Sequence, residues 1–104
     1  MTLAKLVTML KATGYPVAFS HFDSPPTVPF IVYITPDEDA FHADNINYTT
    51  IINVEIELYT DKKDLVAEGK IESLLNENEI PWVAYQTYIE SEKLHQKVYE
   101  IGVI

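Results

Sequence analysis

Residues 48–59 read YTTIINVEIELY, and this stretch decides the fold class. Apolar residues occupy every second position, at Ile52, Val54, Ile56 and Leu58, and polar residues stand between them. Successive side chains of a β-strand point to opposite faces of the sheet. The alternation therefore predicts a strand over residues 48–59 with one apolar face and one polar face.

A first helix is predicted over residues 2–13, where apolar residues follow the period of an α-helix. Gly14 can adopt the left-handed conformation that often ends a helix, and Pro16 cannot continue one. The apolar stripe that predicts this helix consists of Leu3, Leu6, Val7 and Leu10.

A second helix is predicted over residues 61–78, where either Thr60 or Asp61 can cap the first turn. Gly69 lies inside this helix and costs about 1 kcal/mol relative to alanine, which predicts a close packing contact at that position. The stripe that faces the core is predicted to consist of Ala67, Ile71, Leu74, Leu75 and Asn78.

Four further strands are predicted at residues 15–22, 30–34, 82–92 and 96–104, with a turn at residues 91–95. Residues 30–34 are apolar on both faces, which indicates an interior strand. The order α-β-β-β-α-β-β predicts an α+β fold, with a mixed or antiparallel sheet flanked by two helices. The length suits one domain over residues 1–104.

The composition narrows the classes of partner. The formal net charge is −9, from 16 acidic and seven basic residues, and every basic residue is a lysine. Because nucleic-acid binding needs clustered positive charge and leans on arginine for base reading, direct binding of nucleic acid is not expected. No apolar run approaches the roughly 20 residues of a spanning helix, and the first residues do not resemble a signal peptide. We expect no membrane partner and synthesis in a cytoplasm.

No motif for catalysis, a cofactor or a metal ion is evident in the sequence. There is no cysteine, no Gly-rich phosphate loop and no Gly-x-Ser-x-Gly elbow. His21, His42 and His95 share no helix face, as a helical metal pair requires. Ser20 and His21 are neighbours in a predicted strand, which sends their side chains to opposite faces. We expect no catalytic residue, no cofactor and no metal ion, and therefore not an enzyme.

The polar segment of residues 36–47 is predicted to be an exposed loop, and it is the candidate site. Its start resembles a calcium loop, but His42 stands where glycine is needed and Tyr48 where glutamate is needed, so that match fails. The 12 aromatic residues fill the core or occupy a subunit interface. The candidate residues of the loop are Asp37, Glu38, Asp39, Phe41, His42 and Asp44.

Four segments together carry a resemblance to a known family: residues 14–22 (GYPVAFSHF), 29–33 (PFIVY), 43–45 (ADN) and 56–64 (IELYTDKKD). The chain resembles the small tail or neck proteins of long-tailed phages and prophages of Gram-positive bacteria. It is similar to the tail-terminator, or tail-to-head joining, group in particular. The likeness extends from the first predicted helix to the last predicted strand.

The resemblance implies a virion structural protein of α+β fold that assembles into a ring, typically a hexamer. Such a ring caps the tail tube, stops its growth and offers a docking surface for the head. The implied partners are further copies of the chain, the tail tube protein and the head-completion protein, with DNA only passing through the channel. The implied location is the tail of the virion, after assembly in the cytoplasm of the host bacterium. Residues 37–44 then become candidates for the channel lining or the subunit interface.

Three other interpretations of the sequence remain open. One is another component of the phage neck, such as a head-closure protein. A second is an acidic inhibitor that mimics DNA, because spaced carboxylates can imitate phosphates. A third is a small enzyme with a pocket built from His21, His42 or His95 and nearby carboxylates.

Overall fold

The computed structural model describes residues 1–36 and 51–104. The described residues form two helices and a five-stranded sheet in the predicted order, so the α+β fold class is confirmed. The elements are α1 (Leu3–Lys11), β1 (Val17–Phe19), β2 (Phe30–Ile34), β3 (Ile52–Thr60), α2 (Leu65–Glu77), β4 (Val83–Ile89) and β5 (Leu94–Val103).

The sheet is mixed, with the strand order β1-β2-β3-β5-β4. β1 and β2 are parallel, and every other neighbouring pair is antiparallel. The alternating stretch that predicts the fold class forms β3, which lies at the centre between β2 and β5. β2 is an interior strand, as its apolar residues predict. The short β1 and the longer β4 form the two edges, and Pro16 precedes the edge strand β1, where a missing amide hydrogen is tolerated.

Both helices pack against the same face of the sheet, which we call the covered face. From α2, Ala67, Ile71 and Leu75 are buried there, and from α1, Leu6 and Leu10. A fully buried aliphatic side chain contributes about 1.5–3 kcal/mol relative to an exposed one, so this layer dominates the stability of the fold. The sheet side of the cluster comprises Ile31, Val54, Ile56, Leu58, Tyr99, Ile101 and Val103.

The helices begin at side-chain caps. The Oγ1 of Thr2 accepts a hydrogen bond from the amide of Lys5 at 3.2 Å and caps α1. The predicted cap of α2, Thr60 or Asp61, is wrong. Thr60 is buried as the last residue of β3, so the helix begins later, and Asp64 caps it by accepting from the amide of Ala67 at 3.0 Å. In the described part of the chain, no helix is long and apolar enough to cross a membrane.

The predicted inner stripe of α2 is correct for Ala67, Ile71 and Leu75, but Asn78 is exposed as the C-cap and Leu74 is only half-buried. The close contact predicted at Gly69 is wrong as well. A Cβ atom added there meets no heavy atom within 4 Å beyond the neighbouring residues and the backbone of α2 itself. The glycine therefore weakens α2 without a packing reason.

The turn between β4 and β5 lies at residues 90–93 and not at residues 91–95. The amide of Glu92 donates to the carbonyl of Ile89 at 3.2 Å, and Lys93 adopts a positive φ of 54°. His95 consequently belongs to β5, where it is paired with Thr60 and Tyr88. A turn of four residues is closed by its backbone hydrogen bonds, which the polar composition of the segment does not specify.

Candidate functional site

The face of the sheet opposite the helices is the candidate site, and we call it the open face. Because side chains alternate along a strand, the residues between those of the core point to this side. In the described ranges, no residue of either helix belongs to it. The open face carries Phe30 and Val32 from β2, Glu55, Glu57 and Tyr59 from β3, Val98 and Glu100 from β5, and Val83 and Tyr85 from β4.

Three carboxylates of the open face lie close together without a cation. Glu55 and Glu100 are direct partners across β3 and β5, and Glu57 follows Glu55 on the same side of β3. Among the described residues, none of the three forms an ion pair. Side chains at directly opposite positions have Cβ atoms about 4.5–5.5 Å apart, and like charges there are destabilising. The open face is therefore an uncompensated negative surface.

A chain of hydrogen bonds orders one side of these carboxylates. The hydroxyl of Tyr59 donates to Oε1 of Glu57 at 2.9 Å and accepts from Nε2 of Gln96 at 2.9 Å. Burial raises the pKa of Glu57, against the hydrogen bond from Tyr59, and the charge of Glu55 raises it further. Burial and the bond to Glu57 raise the pKa of Tyr59 to about 12. Tyr59 thus holds Glu57 in a fixed position at the surface.

The apolar part of the open face that remains exposed lies on the edge strand β4. Val83 and Tyr85 are 67% and 49% exposed. Partial burial and the charges of Glu55, Glu100 and Glu57 raise the pKa of Tyr85, because an anionic tyrosine is disfavoured near carboxylates. Tyrosine is among the residue types that are enriched in surfaces that bind another protein.

The β2 side of the open face is closed by aromatic contacts within the chain. Phe30 stacks on Tyr59 with ring centroids 4.9 Å apart, and Phe22 meets Phe30 edge to face at 5.5 Å. Phe30 and Val32 are buried although no helix residue of the described segments lies over them. On the rest of the open face, Glu100, Val83 and Tyr85 are exposed, Glu55 and Glu57 are half-buried, and Val98 is buried.

The other cluster of charges lies on the covered face, between α2 and the sheet. The ammonium of Lys97 donates to Glu68 and to Glu72, both at 2.9 Å. Lys63 also pairs with Glu68 at 2.9 Å, and the hydroxyl of Tyr99 donates to Glu72 at 2.7 Å. Each charge in this cluster has a partner of opposite sign, which identifies it as a link between helix and sheet.

The electrostatics of this cluster agree with a structural role. Burial alone would raise the pKa of Glu68, but the hydrogen bonds and charges of Lys63 and Lys97 outweigh it and lower that pKa. Bonds to Glu72 and Glu68 raise the pKa of Lys97 despite its burial. Burial and the bond to Glu72 raise the pKa of Tyr99. The sequence did not predict this cluster, although Glu68 and Glu72 share one face of α2 at a spacing of four residues.

The side chains of Ser20 and His21 are in contact, although the sequence predicts that they point to opposite faces of a strand. β1 ends at Phe19 and Ser20 has a positive φ of 70°, so the alternation of a strand does not apply. Nδ1 of His21 lies 3.2 Å from Oγ of Ser20, and Nε2 lies 3.6 Å from Oδ1 of Asp23. The side chains of His21 and Asp23 are exposed, so water competes for these contacts.

The amides of Ser20 and His21 are not available as the donors of an acyl-transfer site at this Ser–His–Asp contact. Such a site needs free N–H groups aimed at the developing oxyanion. The amide of Ser20 already donates to the carbonyl of Tyr33 at 2.9 Å, and that of His21 donates to Phe19 at 2.8 Å. The arrangement is that of a hydrogen-bonded turn at the end of a strand.

The remaining predicted site residues are placed as follows. Asp37, Glu38, Asp39, Phe41, His42 and Asp44 lie outside the described residues. His95 is half-buried on the covered face beside Tyr88, with ring centroids 5.0 Å apart. Residues 1–36 and 51–104 contain no group of three or more histidine, aspartate or glutamate side chains that could hold a metal ion.

The alternation in β3 predicts that Glu55 and Glu57 share a polar face. It does not predict that Glu100 joins them, because strand register across β5 is a tertiary property.

Comparison of the chain with models of protein families, with curated proteins and with solved structures finds no match.

Proposed function

We propose that the chain is a ring-forming structural protein of a phage tail, similar to the tail terminators, which caps the tail tube and joins it to the head. The observation that carries this proposal is the one-sided sheet. Both helices pack on the covered face, and the exposed half of the open face presents Tyr85 and Val83 beside unpaired carboxylates. The exposed tyrosine and valine on a sheet face without a helix support a protein partner there.

Three of the four segments that carry the resemblance fall on helices, strands or their connections, and residues 43–45 lie outside the described residues. Residues 14–22 include the connection from α1, the strand β1 and the three residues that follow it, and residues 30–33 belong to β2. Residues 56–64 run from the centre of β3 to Asp64, the cap of α2. These segments support a common architecture, and the proposed ring and its place in the tail go beyond that architecture.

The charge of the chain suits the passage of DNA through the proposed ring. Like charges repel, so a lining rich in carboxylates and free of arginine lets DNA pass without holding it. Asp37, Glu38 and Asp39 remain the proposed lining or subunit contact. Their joint replacement by alanine is expected to alter ring assembly or DNA passage, whereas normal tails and normal infectivity in that variant would remove them from the proposal.

The proposal is tested by sedimentation of the purified chain over a range of concentrations and by electron microscopy with and without tail tubes. We expect closed rings of uniform size that bind at one end of the tube. A chain that stays monomeric at every concentration and leaves the tubes uncapped contradicts the proposal. Rings that bind isolated heads and ignore tubes favour another neck component, such as a head-closure protein.

The second candidate function is an acidic inhibitor that mimics DNA. The observation in its favour is the cation-free group of Glu55, Glu57 and Glu100 on a sheet surface. That function requires a monomer or dimer that displaces DNA from a DNA-binding enzyme. The same sedimentation experiment separates the two functions, because the tail protein is expected to form rings and the mimic is expected to stay a monomer or dimer.

A further inference from the structure

The first helix carries positive charge that nothing in its own segment balances. The first 22 residues contain Lys5 and Lys11 and no acidic residue, although the whole chain has a net charge of −9. Both lysines are exposed on α1. Among the described residues neither takes part in an ion pair. The outer surface of α1 is therefore a basic strip on an acidic protein.

The outer surface of α1 also carries a line of small, exposed side chains. Ala4, Thr8 and Ala12 follow each other at intervals of four residues and are exposed, so they form one line along the helix. Lys5 and Lys11 flank this line on its two sides. The hydroxyl of Thr8 donates to the carbonyl of Ala4 at 3.1 Å, so it needs no partner from outside. Small side chains between two lysines leave room for a bulky ring.

The open face has the complementary properties. None of its residues is a lysine, its three carboxylates are unpaired among the described residues, and Tyr85 projects beside them. Lys5 and Lys11 lie about 9 Å apart along the axis of α1. The pair Glu55–Glu100 and the next carboxylate, Glu57, lie about 7 Å apart along β3. The two spacings allow each lysine to approach a carboxylate.

We infer that the open face of one subunit binds α1 of the next copy of this chain, head to tail. This inference rests on the proposed ring and names the contact that builds it. α1 packs on the covered face, so the two surfaces lie on opposite sides of the sheet and cannot meet within one subunit. A contact between two different surfaces is heterologous, and a heterologous contact that closes on itself forms a ring.

Charge reversal tests the contact in both directions. The variant E55K/E100K makes the open face positive, and the variant K5E/K11E makes α1 negative. Each variant alone is expected to associate about tenfold or more weakly than the native chain, because like charges then face each other across the contact. Mixed in equal amounts, or combined in one chain, the two reversals restore opposite charges at every contact and are expected to restore association.

Matched controls place the same charges elsewhere. The variant E90K/E92K alters the turn between β4 and β5, and K62E/K93E alters two exposed lysines outside α1. Both controls are expected to assemble as the native chain does, and circular dichroism checks that all variants are folded. Equal loss of assembly in the controls, or no recovery in the mixture, overturns the inference.

The same experiment distinguishes failure of the inferred contact from failure of the proposed ring. A native chain that never assembles contradicts the proposed ring and with it the contact. A native chain that forms rings, with both reversed variants forming them equally well, contradicts the contact alone and leaves the ring.

Cross-linking gives a second measurement that does not depend on charge. The native chain has no cysteine, so T8C and Y85C introduce the only thiols. With a short bis-maleimide, the double variant T8C/Y85C is expected to form a ladder beyond the dimer, while each single variant forms none. Dimers from a single variant and no ladder from the double variant indicate a two-fold contact and overturn the head-to-tail arrangement.

Discussion

Glu55 and Glu100 lie directly opposite each other on the open face, as partners across β3 and β5. No described lysine stands between them, and the nearest lysine in the strand, Lys97, points to the covered face and binds Glu68 and Glu72. The subunit therefore keeps a repulsive pair of carboxylates on the open face, where a partner can supply a positive charge. On the covered face, by contrast, the charges between α2 and the sheet form ion pairs within the subunit.

The first prediction concerns this pair. Glu100→Gln is expected to raise the free energy of unfolding of the dilute subunit by about 0.5 kcal/mol, because it removes a repulsion between opposite positions. The same substitution is expected to weaken assembly, since it removes a charge from the proposed contact. Urea unfolding at low concentration and sedimentation at high concentration measure the two effects.

Glu90→Gln is the control for that variant, because Glu90 is exposed in the turn between β4 and β5. It is expected to change neither quantity. A Glu100→Gln subunit that is less stable than the native one contradicts the assignment of repulsion between Glu55 and Glu100.

The second prediction concerns Gly69 in α2. Gly69→Ala is expected to raise the free energy of unfolding by about 1 kcal/mol, the difference in helix propensity between the two residues. The added Cβ atom meets no heavy atom within 4 Å beyond the neighbouring residues and the backbone of α2, so no clash with another element opposes this gain. Thermal and denaturant unfolding measure it. A loss of stability would show that the site is more crowded than the structure indicates.

The third prediction concerns the start of α2. Asp64→Ala is expected to lower the free energy of unfolding by about 1 kcal/mol, because the amide of Ala67 loses its acceptor. Asp61→Ala is the matched control, since Asp61 is exposed and precedes the helix by several residues. Equal effects from the two variants would mean that the charge near the helix, and not the cap, supplies the stability.

The fourth prediction concerns Glu68 and acid. Glu68→Gln is expected to lower the free energy of unfolding at neutral pH by about 3 kcal/mol, because Lys63 and Lys97 lose a nearly buried carboxylate partner. The pKa of Glu68 is lowered in the folded chain, so the unfolded chain binds its proton first as pH falls. The contribution is present above the ordinary glutamate pKa of 4.5 and is lost as pH falls through the folded pKa.

Unfolding by urea between pH 3 and pH 7 measures this dependence, and we expect Glu68→Gln to flatten it. Glu57→Gln is expected to change the pH dependence of the free energy of unfolding in the opposite direction. The folded pKa of Glu57 is raised, so Glu57 contributes stability below the ordinary glutamate pKa of 4.5, and this stability is lost as pH rises through its folded pKa. Its removal is expected to steepen the acid dependence. Two variants that change the slope in the same direction contradict this account.

The elements of the fold follow largely from local patterns. The alternation in β3 and the stripe of α1 predict those elements because both depend on neighbours in the chain. Predictions failed where a tertiary contact decided the outcome. β3 extends to Thr60 because it is paired with β5, so the cap of α2 moves to Asp64. Ser20 leaves the extended conformation at the end of a short edge strand, so its hydroxyl reaches His21.

The sequence by itself determined which residues are polar on β3, that α1 is basic, and that the chain as a whole is acidic. Only the tertiary structure decided that both helices pack on one face, and that Glu100 joins Glu55 on the other. The physical reason is that composition and periodicity act along the chain. Layer packing depends also on which strands pair across long separations, and the alternation of β3 and β5 brings Glu55 and Glu100 together only once those two strands are paired.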